Sequence, residues 1–349
     1  MNEPSSPTHK RRVRYRGTHP RRFAEKYKEH EPARYQADVQ KVIAGGKTPA
    51  GTHRPICVSE ILAILSPKPG EIAVDATVGY GGHASELLPK LQPGGRLYGL
   101  DADPIELPRT EARLRAAGFP PEAFIARRTN FGGLPQLLAS EGVSAVDMVL
   151  ADLGVSSMQI DNPERGFSFK HDGPLDLRMN PQRGRPASAM LAALPEKELI
   201  QMLEENSDEP RAALIASAIC AAQSRRPIIT TQSLASAVRA AFQSGHMAKD
   251  EVEAAVRRTF QALRIAVNEE FTALETFLRN LPGCLKTGGR TAVLTFHSGE
   301  DRRVKKAFIA GAREGVYSRI ASEVIRPSAE EIRSNPRASS AKLRWAVRA

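Results

Sequence analysis

At 349 residues, with 41% hydrophobic and 26% charged side chains, the chain carries enough apolar material for one large core or two smaller ones. A formal charge of +11 favours an anionic partner. No apolar run reaches membrane-spanning length, and Cys57, Cys220 and Cys284 stand far apart with no CxxC pair, which argues against a membrane span, a disulfide framework and a zinc site.

The basic excess is concentrated at the start. Residues 1–54 hold thirteen Lys/Arg against five Asp/Glu, so eight of the eleven surplus charges lie there. Lys10, Arg11, Arg12, Arg14, Arg16, Arg21 and Arg22 crowd together with Tyr15 and Phe23 among them. That pattern suits phosphate neutralisation with base stacking, and it suits a solvated tail equally. Glu25, Glu29 and Glu31 argue against a transit peptide, and no apolar signal core is present, so a cytoplasmic protein is the expectation.

Strand-like runs then alternate with helical ones. The pattern predicts strands over 71–75, 96–101, 123–128 and 145–151, separated by amphipathic stretches such as 85–91 and 104–117. This is the rhythm of a parallel α/β sheet. Between Ala187 and Arg258 strand character vanishes and helices are expected over 187–193, 196–205, 210–224 and 233–243. Strand character returns at 290–295, with weaker runs at 317–325 and 342–347, so the expected plan is one sheet interrupted by a helical insertion.

Chemistry-bearing residues collect at the predicted strand ends, where open α/β sheets place their ligands. In VDATVGYGGH (74–83) an acid, Asp75, closes a strand before Gly79, Gly81 and Gly82 lead into a helix. Glycines there let backbone approach a ligand closely. The next strand ends at Asp101, the spacing at which an acid meets ribose hydroxyls, which serves NAD and S-adenosylmethionine alike. The DxxxGxGG order, with an acid ahead of the glycines, favours the methyl donor, which has no pyrophosphate for that acid to repel. The fourth strand ends at Asp152 and opens a polar, Gly-rich segment, ADLGVSSMQIDNPERGFSFKHDGPLDLRMNP (151–181).

Residues 151–181 closely resemble the central signature of the bacterial small-subunit ribosomal RNA cytosine-N4 methyltransferases, the RsmH or MraW family, and the resemblance extends from Thr52 to Arg348. It implies a Rossmann-like class I methyltransferase sheet with an inserted all-α domain. The expected division is a basic extension (1–51), a methyltransferase domain (52–160 and 256–349) and a helical substrate-recognition domain (161–255). By this resemblance the cofactor is S-adenosyl-L-methionine, held by Gly81, Gly82, His83, Asp101, Phe131, Asp152 and Gln159. The partner it implies is 16S ribosomal RNA or the small ribosomal subunit, methylated on the N4 amine of a cytosine in the decoding region. A non-catalytic RNA-binding assembly factor on the same scaffold, or a methyltransferase for another RNA amine, is the alternative.

An exocyclic amine is a poor nucleophile because its lone pair is delocalised into the ring, so positioning and hydrogen bonding carry most of the catalysis. Asp152 is the candidate catalytic acceptor for an amine hydrogen, and a helix-cap or turn carboxylate is its plainer reading. None of the three cysteines stands in the Pro-Cys setting that carbon-5 methylation requires. The [DNS]PP[YF] segment of many amine-directed methyltransferases is replaced by DLGVSS, which weighs against a generic DNA enzyme. Phe167 and Phe169 are candidates to sandwich a base, or to pack a lid, and Arg165, Lys170, Arg178 and Arg183 to hold phosphates. In TFHSGEDRR (295–303), His297 reads as a general base or as a hydrogen-bonded structural histidine. Gly299 and Ser339 depart from the family's usual Leu and Arg.

Overall fold

The structure, a computed structural model, describes residues 55–243, 245 and 247–349. The basic extension and its cluster from Lys10 to Arg22, read as an RNA contact or equally as a solvated tail, lie outside the described residues.

Helix α1 (Val58–Leu65) leads into β1 (Ile72–Asp75), α2 (Gly82–Leu91), β2 (Arg96–Asp101), α3 (Glu106–Ala116), β3 (Phe124–Arg128), α4 (Leu134–Ser140) and β4 (Val146–Asp152). Strands β1 to β4 are parallel, because each returns to the sheet through a crossover long enough for a helix. Beyond the helical segment come β5 (Leu285–Thr295), β6 (Tyr317–Ile320) and β7 (Lys342–Arg348), with β7 antiparallel to both neighbours. The seven strands run in the order β3-β2-β1-β4-β5-β7-β6. This is the class I methyltransferase sheet that the resemblance implied. The expected strand at 317–325 is shorter, since Ile325 makes only an isolated bridge to Leu343.

Alternation along the buried strands sends side chains to two cores. Met148 and Leu150 join Leu87, Leu91 and Leu114 on one face, while Val149 and Ala151 join Leu137, Phe277 and Leu281 on the other. Chain order reverses at β1, which has β2 on one side and β4 on the other. A crevice therefore opens at the carboxyl ends of β1 and β4.

Between β4 and β5 lie α5 (Ser157–Asp161), α6 (Ala187–Ala193), α7 (Glu196–Ser207), α8 (Ala212–Arg225), α9 (Thr231–Ala240), α10 (Lys249–Asn268) and α11 (Glu270–Cys284). The apolar faces of α6 to α10 form a third core, with Leu199, Ile215, Leu234, Val256 and Leu263 among its members, while α11 packs into the second. Helix α10 is 20 residues long, and the expected boundary between residues 255 and 256 falls inside it. Its buried residues run from Ala255 through Phe260 to Ile265, so no break in packing marks that point.

Candidate active site

Three carboxylates stand side by side at the ends of adjacent strands: Asp101 on β2, Asp75 on β1 and Asp152 on β4. Asp101 turns the loop toward itself, accepting from the backbone N–H groups of Gly79 at 2.9 Å and Asp103 at 2.8 Å. Burial, reinforced by the charges of Asp103 and Glu106, pushes its carboxyl up to about 6 against the pull of those N–H groups. Asp75 is 1% exposed. Burial pushes it up to about 7, with Asp152 and Asp101 adding to the rise and His83 and the Thr77 N–H opposing it.

His83, the second residue of α2, is buried with Nε2 3.5 Å from Asp152 Oδ2. Burial alone would lower its pKa, but the carboxylates of Asp152, Asp75 and Glu86 outweigh that and hold it above its ordinary value. The Asp152 backbone N–H donates to Thr77 Oγ1 at 2.6 Å, fixing the strand end, while Asp152 Oδ1 is buried without a hydrogen bond among the described residues.

A cleft of about 870 Å³ gathers Gly82, His83, Asp101, Phe131, Asp152 and Gln159 on one lining. Gly81, the seventh residue expected to hold the cofactor, does not line it. With φ of 83°, it caps α2 and turns its missing Cβ toward α3, where an added carbon would lie 2.8 Å from Thr110 Cγ2. Phe131 offers one side to the cleft and packs edge-on against Phe277, ring centroids 5.7 Å apart. Gln159 closes a capping box with Ser156 and donates through Nε2 to Asp103 Oδ2 at 2.9 Å, so its amide is already committed.

Several residues placed at the target side by the sequence have other work. Phe167 and Phe169 do not line the cleft but pack on the helical core, with Phe169 5.3 Å from Phe260 between ring centroids and under the guanidinium of Arg239. Gln232 further pins that segment by donating to the Phe169 carbonyl. Arg165 is buried and paired with Asp103, and the exposed Lys170 lies off the cleft. Arg178 and Arg183 do line it, although Arg178 is also bound to both carboxylate oxygens of Asp176. From the segment between β4 and β5 the lining comes from α5, from Arg178 to Gly184 and from the α10–α11 junction, not from α6 to α9.

His297 lies off the lining, its Nε2 3.2 Å from Glu300 Oε1. Burial would raise Glu300, but His297, Arg264 and the Phe296 N–H together hold it below the usual carboxylate range. Glu270, His297 and Glu300 bring ligand-type atoms within 4.8 Å of one another, yet Arg264 grips Glu270 with two hydrogen bonds of 2.8 Å. The cluster is thus balanced by a cation of the chain itself and ties α10 and α11 to the end of β5. Burial also pushes the Cys57 thiol up to about 12 and that of Cys284 up to about 11, which leaves no thiolate there.

Sequence reasoning passed over Asp103, Thr77 and the Arg264–Glu270 pair. Asp103 carried a signal, because an Asp two residues past a strand end and just before a helix commonly accepts from helix N–H groups, as it does here from Ile105 at 2.8 Å.

The cleft of acids and aromatics sits on a chain with close relatives. "Ribosomal RNA small subunit methyltransferase H 1" of Lachnoclostridium phytofermentans is 50% identical over 99% of this chain and 95% of its own length. "Ribosomal RNA small subunit methyltransferase H 2" of Alkaliphilus metalliredigens is 53% identical over 97% of both chains. "Ribosomal RNA small subunit methyltransferase H" of Anaeromyxobacter sp. (strain K) is 42% identical over 84% of this chain and 96% of its own. The alignments with the first two therefore reach into residues 1–54 as well. The profile of the MraW methylase family matches residues 50–349, and the chain belongs to that family.

Proposed function

We propose that this chain is an S-adenosylmethionine-dependent methyltransferase acting on the N4 amine of a cytosine in the decoding region of 16S ribosomal RNA. The carrying observation is the identity of about half, over nearly the whole chain, to relatives named for small-subunit ribosomal RNA methylation. The cleft fits the donor, a cation bearing a ribose, because Asp101 and Asp152 line it, the buried Asp75 ends the strand between theirs, and Asp152 Oδ1 has no hydrogen bond among the described residues. In this reading Asp101 meets the ribose hydroxyls and Phe131 packs against the adenine, both being on the cleft lining. About 870 Å³ also leaves room for a nucleotide.

When bound, the donor supplies an electrophilic methyl carbon on a sulfonium. Asp152 Oδ1 accepts one hydrogen of the target amine, which withdraws the nitrogen lone pair from the ring and directs it at that carbon. The methylated nitrogen then sheds a proton through the same carboxylate to water. Arg178 and Arg183 flank the target phosphates, and the helical segment from α6 to α10 grips the RNA beside them. No helix among the described residues is long and apolar enough to cross a membrane, and a cytoplasmic location goes with the ribosomal target. Nucleoside mass spectrometry of small-subunit RNA from cells with and without the gene tests the reading. N4-methylcytosine is expected to disappear without it, and an unchanged level would rule the reading out.

A further inference from the structure

Two buried side-chain atoms of neighbouring cleft residues lack hydrogen bonds among the described residues: His83 Nε2 and Asp152 Oδ1. The ring nitrogen lies 3.5 Å from the other carboxylate oxygen, Asp152 Oδ2, within ion-pair reach but not aligned as a hydrogen bond. Both residues are held by backbone. Asp152 ends β4 with its N–H on Thr77 Oγ1, and His83 sits in the first turn of α2, drawn in by the Gly81 N–H on the Val78 carbonyl. Their side chains are 7% and 16% exposed. A buried polar group left unsatisfied is costly, so a pair with only a structural task gains by closing the gap. Here it stays open beside the space a substrate enters.

We propose that His83 is a positioning residue for Asp152: with the cleft filled, its Nε2–H donates to Asp152 Oδ2 and sets the carboxylate plane so that Oδ1 meets the target amine. The inference rests on the methyl-transfer reading above. A carboxylate with both oxygens free turns about its Cβ–Cγ bond, whereas a hydrogen bond on one oxygen fixes where the other points. Asp75 supports the arrangement from behind, its carboxylate accepting from the Thr77 N–H at 3.2 Å and its charge favouring a protonated ring. His83 adds no covalent step. The amine nitrogen forms its bond to the methyl carbon, the C–S electrons return to sulfur, one N–H proton leaves through Asp152 to water, and His83 keeps its own proton.

The test compares full-length wild type, His83→Gln, His83→Leu, Asp152→Asn and the His83→Leu/Asp152→Asn double variant. Methyl transfer to small-subunit RNA and donor binding by calorimetry are the two readouts. Glutamine retains an N–H donor of similar reach, and leucine has none. His83→Leu is expected to lower kcat about 10- to 100-fold, the usual effect of removing an orienting partner. Donor Kd should move by no more than about threefold, and His83→Gln should recover most of the lost rate. Added to Asp152→Asn, His83→Leu should cost less than about a further twofold, because the two act as one unit. Losses that multiply, a glutamine variant no better than leucine, or an effect confined to donor affinity overturns the proposal. If His83→Leu does not fold, His83→Asn, whose amide stops short of Oδ2, takes its place. Wild type that binds donor and methylates a different amine would defeat the cytosine reading alone, since the same rate comparisons on that amine still judge His83.

Discussion

Arg165 Nη1 donates to Asp103 Oδ2 at 2.8 Å, with the two side chains 9% and 1% exposed, and its Nη2 donates to the carbonyls of Arg178 and Met179. One guanidinium thus stitches the segment after β4 to the loop after β2. Removing it leaves a buried carboxylate short of its cation, so Arg165→Met is expected to destabilise the fold by about 3–5 kcal/mol in urea unfolding. A loss below about 1 kcal/mol would return Arg165 to the candidate phosphate contacts.

Asp101→Asn removes the charge and keeps an acceptor for only one of the Gly79 and Asp103 N–H groups, since these bond to different carboxylate oxygens. It should weaken S-adenosylmethionine binding by about 1.5–3 kcal/mol, as loss of charge-assisted hydrogen bonds does, and lower Tm through the one loop N–H left unpaired. Unchanged donor affinity in the folded variant would take Asp101 out of the donor site.

Donor affinity should depend on pH through the same acids. Burial raises Asp101 to about 6 and Asp75 to about 7, so protonation begins as the pH falls below neutrality, and a cationic ligand prefers the carboxylates. Affinity is therefore expected to drop between pH of about 7.5 and 5.5, with net proton release on binding near pH 6.5. For the free protein the sign is opposite. A raised carboxyl holds its proton in the folded state over a range where the unfolded chain has lost it, so these two groups cost stability progressively from pH of about 4 to 7. Calorimetry in buffers of different ionisation enthalpy measures the proton count, and a pH-independent Kd would contradict the assignment.

Gly299 accounts for one departure from the family pattern. A Cβ built there lies 2.7 Å from Phe271 Cζ, and the Phe271 ring is held by Arg303 at 3.5 Å and by His297 at 5.8 Å between centroids. Gly299→Ala should destabilise by about 1–3 kcal/mol through overpacking, and Phe271→Leu in that background should recover most of it. Additive losses in thermal melts would show that the two positions are not matched. Ser339 lines the cleft, and nothing in the structure explains its presence there instead of Arg.

The parts of the fold that could be read from sequence are those written in local pattern. Strand β2 was expected at 96–101 and forms there, and α6 likewise at 187–193, because each is a short apolar run with turn signals at both ends. The acids at strand ends were legible for the same reason. Helix α10 was not among the expected helices, although buried Val256, Thr259, Phe260 and Leu263 keep helical spacing across its charged Arg257 and Arg258. Phe167 and Phe169 show a different limit. Nothing local separates a ring that stacks on a base from one that packs on Phe260, since both want a flat apolar face. Arg165 failed for a related reason, its partner Asp103 being 62 residues away.

The continuity of α10 bears on how a large RNA could be felt at the reaction centre. Its 20 residues span about 30 Å, from the far end of the helical layer to Asn268, which lines the cleft. There Asn268 accepts from the Met179 N–H at 2.7 Å and donates to the Leu177 carbonyl at 2.8 Å, so it grips the wall opposite the acids. A rod with no joint cannot let its outer end swing freely while its inner end stays still. A push on the outer helices therefore arrives as a shift of the wall that carries Arg178 and Arg183, which makes the helical layer a lever on the cleft more than a lid over it.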